Sequence, residues 1–343
     1  MDRSSGPQQL KRHYWHLLGH RAALANPGDY LRFEWFDGEI VAFNDQGDII
    51  VFDNICPHRG ARIISQFDGN QKLRCPYHGW TYRGGKFFAP FPQQFAAGDL
   101  DRAHYNTFQH AWCGDFLFAA IQPIESLEVQ LGGLGVLLTK IGTSIDKPFS
   151  TTAFEWQSDW RIAVENAIEQ YHAQVGLVHP ASFNKFTFTR GDDVFFGRNS
   201  VFGNAFCDER TIRQLQRLRR YFAIDHQHEG YQSIFVFPFA MIGSTFGYSY
   251  AIQQFYPSTQ ENVCKFHSRM LTAKLVDGAD PAILEPFFAS SDDLNRKVFE
   301  EDHAICARVS PRSLTDSFDP IFAESEVKIA RFRKAVRDAG GWC

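Results

Sequence analysis

Two short motifs, Cys56-Pro57-His58 and Cys75-Pro76-Tyr77-His78, each set a thiol beside an imidazole, with 16 residues between His58 and Cys75. A structural zinc site usually takes its cysteines from one knuckle and its histidines from another. Here each knuckle supplies one of each. That mixture suits a [2Fe–2S] cluster in which two cysteines hold one iron and two histidines the other. Exchanging two thiolates for neutral imidazoles removes negative charge and raises the reduction potential well above that of an all-cysteine cluster. A zinc ion, or four side chains that merely fill a core, are the competing explanations.

A second set lies downstream. His172 and His179 have six residues between them, and on an unbroken helix they would stand two turns, roughly 10 Å, apart along its axis. One metal ion could bind both only if the helix breaks, and Gly176 offers the place. At about 100° per residue, Glu165, Glu169 and His172 fall within about 60° of one another, so an acidic patch is expected beside the first histidine. Position points to the third ligand. Leu294, Val298, Ile305 and Val309 form an apolar stripe on a later helix, with Asp302 in its middle, Glu301 at its edge and Glu300 pointing away. A carboxylate buried without a partner is very costly, so a metal ion or an arginine must compensate Asp302, and the metal is favoured. His172, His179 and Asp302 would then form a 2-His-1-carboxylate triad, which leaves positions open on ferrous iron for dioxygen and for substrate or water.

The elements that must position these groups can be sketched from hydrophobic period and turn residues. An aromatic, helix-like stretch surrounds Tyr14, Trp15, Leu17 and Leu18, and Pro27-Gly28-Asp29 marks a turn. From Tyr30 to about Ile121 the pattern is that of short strands. Ile40, Val41 and Phe43 run into Asp45-Gln46-Gly47-Asp48, and Ile49 to Phe52 run back toward the first knuckle. Leu73 leads to the second knuckle, Trp80 and Tyr82 follow it, Gly84-Gly85 turn, and Phe116 to Phe118 close the set. Residues 122–150 read as a Gly-rich connection. Ser158 or Asp159 caps a helix in which Trp160, Val164, Ala167, Ile168 and Tyr171 recur at helical spacing, bounded by Gly176 and Pro180. Ser233 to Met270 is strand-like, and a last helix is expected from about Asp292 to Val309. Glu209 to Arg220, with five arginines around Ile212, Leu215 and Leu218, reads as a solvated helix, with docking of a partner or a substrate carboxylate as the alternative.

At 343 residues there is room for about two domains, and 44% hydrophobic with 22% charged residues describes a well-packed globule. The 34 phenylalanines are in excess, which points to a Phe-rich core and is compatible with an aromatic-lined substrate cavity. Phe183 to Phe188 and Phe235 to Phe246 are candidates for its walls. A net charge of −4 gives no electrostatic reason to expect nucleic acid. No apolar run of about 18 residues exists, so no membrane span is expected, and Met1 to Lys11 lacks the apolar core of a secretory signal. Beyond Cys56 and Cys75 the cysteines are scattered singly (Cys113, Cys207, Cys264, Cys306, Cys343), a pattern of reduced thiols that suggests a cytoplasmic protein.

Taken together, the two constellations resemble the catalytic α subunit of the Rieske non-haem iron oxygenases, the ring-hydroxylating oxygenase family. The matching residues are Cys56-Pro57-His58-Arg59-Gly60 and Cys75-Pro76-Tyr77-His78-Gly79-Trp80. Asp159-Trp160-Arg161, the run Glu165-Asn166-Ala167-Ile168-Glu169-Gln170-Tyr171-His172, and Glu301-Asp302 with Cys306 four residues on also match. The resemblance extends from about Trp15 to Val309. It implies an α+β fold, with an N-terminal antiparallel β Rieske domain (30–125) inserted in a C-terminal helix-grip catalytic domain, an antiparallel sheet with helices (126–343, with 1–29 packing alongside). It also implies a Rieske [2Fe–2S] cluster on Cys56, His58, Cys75 and His78, and mononuclear Fe(II) on His172, His179 and Asp302. A homotrimer follows, in which electrons pass from the cluster of one subunit to the iron of the next.

The family's bridging acid, three residues before the first histidine, corresponds to Glu169. It would link His78 of one subunit to His172 of its neighbour, and a carboxylate bonded to both imidazoles orients each and couples their charge states. Asn166 matches a polar residue often kept near the iron. Two features depart from the pattern. The bridge is usually aspartate, and glutamate resembles the subgroup acting on quaternary ammonium compounds such as choline, betaine or carnitine. The family also commonly has four residues between the histidines, not six. Respiratory Rieske subunits carry a further cysteine after each knuckle and a membrane anchor; Ala61 and Tyr77 occupy those places here.

The expectation is therefore a terminal oxygenase component that uses O₂ and electrons from NAD(P)H to hydroxylate or oxidatively dealkylate a small aromatic or apolar substrate. No Gly-x-Gly-x-x-Gly fingerprint follows a strand, so the NAD(P)H-dependent reductase should be another chain, with or without a ferredoxin. An oxygenase of methylated quaternary ammonium compounds, which would need an aromatic cage, is the rival substrate class. A Rieske-type electron carrier without oxygenase activity, or a zinc-stapled binding module, are the rivals of other classes.

Overall fold

The computed structural model describes residues 5–180, 182 and 188–342. Among them are eight α-helices: α1 Ser5–His13, α2 Leu127–Leu131, α3 Leu134–Gly142, α4 Trp160–Ile168, α5 Tyr171–Val175, α6 Glu209–Leu218, α7 Glu285–Cys306 and α8 Val327–Asp338. The strands are antiparallel throughout and fall into two groups.

The N-terminal group is built from local hairpins. Asp29–Trp35, Gly38–Asp45 and Asp48–Asp53 form a meander, with Asp68–Asn70 on the open edge of the first. A second small sheet orders His16–His20, Phe116–Ala120 and Gln109–Cys113, and a short hairpin pairs Thr81–Arg83 with Lys86–Phe88. Residues 16–20 thus form a strand and not the continuation of a helix. All five are buried, and a short apolar run buried on both faces has no periodicity to separate the two conformations.

The C-terminal group is one large sheet, in the order Ile145–Trp156, Cys264–Ala273, Ser249–Pro257, Ala240–Thr245, Tyr231–Val236, Asn199–Phe206, Phe188–Arg190. Its first strand begins inside the segment expected to be a connection. That segment also folds α2 and α3, separated by Gly132 and Gly133. Helices α4, α7 and α8 pack together, with α4 and α7 against the sheet. Helix α7 starts about two turns earlier than its apolar stripe suggested, with Pro286 in its first turn, and ends at Cys306, so Val309 lies beyond it.

One apolar cluster draws side chains from both groups, and a smaller one lies within the N-terminal group around Cys56 and Cys75. Phe36 meets Phe239 edge-on at 5.2 Å between centroids and Tyr256 at 5.9 Å. Each such ring, fully buried, contributes about 2 kcal/mol. Polar groups cross the same junction: Gln254 donates to the Leu17 carbonyl (2.6 Å), Arg269 to that of Arg32 (2.7 Å) and Lys265 to that of Phe36 (2.9 Å). These bonds tie the large sheet to the N-terminal group along one junction.

Burial also sets the acid limit of the fold. His16, His20 and His267 are at most 3% exposed, and burial lowers the pKa of each to about 4. An unfolded chain takes up these protons near pH 6.5, so between about pH 6.5 and 4 it holds more protons than the folded chain. Stability is then complete above that window and falls as the pH drops through it, by about 1.4 kcal/mol per pH unit for each histidine. Urea unfolding midpoints at pH 7 and pH 5 should differ markedly in this direction; equal midpoints would refute the account.

Candidate metal centres

The two Cys–His knuckles have the same backbone. The Gly60 amide donates to the Cys56 carbonyl (2.9 Å) and the Cys56 amide to that of Ala61 (2.8 Å). Likewise Gly79 donates to Cys75 (3.0 Å) and Cys75 to Trp80 (2.7 Å). Each loop closes through a glycine in the left-handed region, Gly60 at φ +77° and Gly79 at φ +74°, where any side chain would be strained. Asn54 staples the first loop, accepting from the Ile63 and Ile64 amides and donating to the Ile64 carbonyl and to Glu39.

This geometry brings the four side chains together. Cys56 and Cys75 are buried side by side within hydrogen-bond reach, and burial, then the neighbouring thiol, pushes the Cys56 thiol up. The His58 and His78 rings lie 4.6 Å apart between centroids. His58 stacks on Trp80 at 4.8 Å and His78 on Tyr77 at 3.8 Å. The buried Nδ1 of His58 has no hydrogen-bond partner. Two thiols inside and two imidazoles at the rim fit a mixed-ligand cluster.

The second centre begins with the capping of α4. Asp159, not Ser158, accepts from the Arg161 amide (2.8 Å) and pairs with the Arg161 guanidinium. The helix then ends at Ile168, earlier than its apolar spacing suggested. Glu169 is extended (φ −101°, ψ 163°), and its carboxylate accepts from the amides of Tyr171 and His172. A side chain that takes backbone protons in this way competes with helix continuation. Helix α5 follows and stops at Gly176, which is left-handed. The chain turns there and brings His179 back toward His172.

One consequence corrects the expected acidic patch. Glu165 does not share a continuous helix face with Glu169 and His172; it is buried in a two-pronged ion pair with Arg333 of α8 (2.8 and 2.7 Å). Glu169 alone serves the histidine, bonding His172 Nδ1. Burial would lower the pKa of His172, but the Glu169 carboxylate outweighs it and the net direction is upward.

His172, His179 and Asp302 each offer a ligand atom within 4.8 Å of the others. Asp302 Oδ1 lies 3.3 Å from His179 Nε2 and 3.6 Å from His172 Nε2, yet this buried oxygen has no hydrogen bond. An orphaned buried carboxylate oxygen facing two imidazole nitrogens is what a divalent cation would satisfy. On the far side of His179, Nδ1 meets Glu301 (3.0 Å), which also accepts from the Ser182 hydroxyl. Sequence spacing placed Glu301 only at the edge of a stripe. Its role depends on the turn after Gly176, which periodicity does not report.

A cavity of about 400 Å³ opens on these three residues. Phe202, Phe206, Tyr231, Phe255 and Phe287 supply much of its wall, and Asn166, Gln170 and Glu169 reach it beside the histidines. Of the expected Phe235–Phe246 wall, only Met241, Gly243 and Thr245 line it; Phe235, Phe237 and Phe239 belong to the core. Residues 183–187 of the other expected stretch lie outside the described residues. Helix α6 covers one side with Thr211, Gln214, Leu215 and Leu218, and its arginines do not line the cavity.

Comparison with known families matches residues 14–96 to the Rieske [2Fe-2S] domain and residues 147–341, more than half of the chain, to the ring hydroxylating alpha subunit (catalytic domain). The chain belongs to the ring-hydroxylating α-subunit family. Curated relatives include the glycine betaine monooxygenase oxygenase subunit of Chromohalobacter salexigens, 31% identical over 52% of this chain and 40% of the relative. The 2-halobenzoate 1,2-dioxygenase large subunit of Burkholderia cepacia is 28% identical over 48% of this chain and 38% of that one. The aligned part thus spans about two fifths of these relatives. Among solved structures, a quaternary ammonium Rieske monooxygenase superposes with a TM-score of 0.76 at 19% identity, covering 98% of this chain and 93% of the other. Naphthalene 1,2-dioxygenase from a Rhodococcus species gives 0.66 at 16% identity over 98% and 91%. At these identities the likeness concerns the fold.

Membership in the family brings two cofactors, a Rieske cluster and a mononuclear iron, and both donor sets described above fit them. If Glu301 sets the tautomer of His179, Glu301→Ala should weaken iron binding about 10- to 100-fold without removing a ligand. Competition with a ferrous chelator measures this, and unchanged affinity would dismiss the role. Among the described residues no helix is long and apolar enough to cross a membrane.

Proposed function

We infer that this α subunit is the terminal oxygenase of a multicomponent system. Electrons from NADH or NADPH reach it through a separate reductase, with or without a ferredoxin. Dioxygen is used to hydroxylate, or oxidatively dealkylate, a small aromatic or otherwise apolar substrate. The observation that carries this reading is the seating of His172, His179 and Asp302 on an aromatic-walled cavity of about 400 Å³. When bound, the cluster supplies single electrons and the incompletely ligated ferrous ion supplies oxygen activation. The protein's own part is to hold His172 through Glu169 and His179 through Glu301, and to offer an apolar chamber for the substrate.

Methylated ammonium substrates are the second reading, favoured by the glutamate at position 169 and by relatives named for glycine betaine and carnitine. Both of those compounds also carry a carboxylate, and among the described residues no lysine or arginine lines the cavity. A neutral substrate fits the lining better.

A homotrimer and a cytoplasmic setting complete the proposal. Apolar side chains stand exposed near both centres: Ile55, Tyr77, Phe88 and Phe91 in and around the knuckles, and Tyr171, Val175 and Leu177 after Glu169. Mutual covering of these surfaces would bring one subunit's His78 toward the next subunit's Glu169. The six described cysteines form no disulfide, as in a reducing compartment. Iron analysis and oxygen uptake with NADH and a reductase test the whole. About three irons per chain and substrate-dependent oxygen consumption are expected; about two irons, or product formed without oxygen, would overturn the reading.

A further inference from the structure

Six carboxamide side chains line the cavity: Asn166, Gln170, Asn204, Gln214, Gln253 and Asn295. Asn166 Nδ2, Asn204 Oδ1 and both polar atoms of Gln170 are sealed inside the protein, while Gln214 is exposed and Asn295 half-buried. Gln253 differs from all of these. It is 6% exposed, yet neither its oxygen nor its nitrogen is sealed, and among the described residues its side chain has no hydrogen-bond partner. Ala251 and Phe255, two residues to either side on the strand Ser249–Pro257, line the cavity with it, as the alternation of a strand requires. Met241, another lining residue, and Ser268 stand opposite it on the flanking strands. That strand runs inside the sheet, so the surface left to the Gln253 amide opens on the chamber.

An amide in an open chamber is hydrated until a substrate enters and expels the water. An apolar substrate then leaves both polar atoms bare, which is costly. Gln253 offers a donor beside an acceptor. The group that restores both bonds carries an acceptor beside a donor, the pairing by which glutamine also reads adenine. A carboxylate has acceptors only and leaves Oε1 without a proton, and a fully methylated ammonium group has neither. We propose that Gln253 is a specificity-determining residue, and that it selects neutral aromatic substrates with a carboxamide or lactam edge, an N–H next to a C=O. This rests on the oxygenase reading for which cavity is the substrate chamber, and deepens it by naming the substrate class.

The test is equilibrium binding without oxygen, on the full chain holding both metal centres, with benzamide, acetophenone and α-methylstyrene as probes. The three have nearly the same shape; acetophenone lacks the donor, and α-methylstyrene lacks donor and acceptor. At about tenfold per hydrogen bond, wild type should bind benzamide about tenfold more tightly than acetophenone and about a hundredfold more tightly than α-methylstyrene. Gln253→Met keeps the length of the side chain and removes the amide. In it the preference for benzamide over α-methylstyrene should fall at least tenfold, and a smaller fall overturns the proposal. So does wild-type protein that binds benzamide no more tightly than α-methylstyrene, or not at all, an outcome that needs no variant to fold. Because binding is read without turnover, either failure can be told from failure of the oxygenase reading, which iron content and oxygen uptake judge separately.

Discussion

Replacing Asp302 with alanine is expected to lower the iron content from about three to about two per chain and to abolish oxygen-dependent product formation, while leaving the metal-free protein no less stable. The opposite signs come from one observation. Asp302 Oδ1 is buried, accepts no hydrogen bond from the chain, and faces the Nε2 atoms of two imidazoles. Removing an unsatisfied buried group relieves a cost of about 1–3 kcal/mol. Once Fe(II) is present the same oxygen becomes a ligand, and metal at a hundred times its dissociation constant stabilises the fold by about 2.7 kcal/mol. Wild type should therefore gain thermal stability on anaerobic addition of Fe(II), and Asp302→Ala should gain almost none. Asp302→Asn, which keeps the shape but loses the charge, should fall between. An alanine variant that keeps about three irons and the metal-dependent shift would remove Asp302 from the ligand set.

What the sequence disclosed, and what it hid, divides along the range of the interactions involved. The cluster knuckles are legible because everything they need is local: two donors, a turn and a left-handed glycine occur within five or six residues, twice. The Asp302 position is legible for a different reason. A carboxylate in the middle of an apolar helical stripe contradicts its surroundings, and such a contradiction calls for a partner.

Periodicity misplaces Glu165 because it assumes an unbroken helix, and the carboxylate of Glu169 ends that helix by taking the next turn's amide protons. Glu301 and Ser182 depend on a chain reversal at Gly176 followed by a contact between residues far apart in sequence. No local pattern encodes such a contact. The strand Ile145–Trp156 is not legible in the sequence because Lys147 and Pro148 interrupt its alternation. The irregularities in its register fall there, between Ile145 and Lys147 and between Pro148 and Ser150.

Glu169 offers the second large effect, and here geometry and charge can be separated by the choice of substitution. Its carboxylate accepts from the Tyr171 and His172 amides and bonds His172 Nδ1, so it caps one turn of helix and orients one imidazole at once. Glutamine keeps an acceptor oxygen for these donors but carries no charge. Glu169→Gln should therefore retain both metal centres and a reducible cluster, while reoxidation of that cluster in the presence of substrate and oxygen slows about a hundredfold. Alanine loses the cap as well, worth about 1 kcal/mol, and should also bind iron more weakly. Stopped-flow reoxidation beside an iron count distinguishes the roles. Slow reoxidation at full iron content places the charge of Glu169 in the path between the centres. Loss of iron already in the glutamine variant would confine the residue to holding His172, and unchanged reoxidation at full iron would take it out of the path altogether.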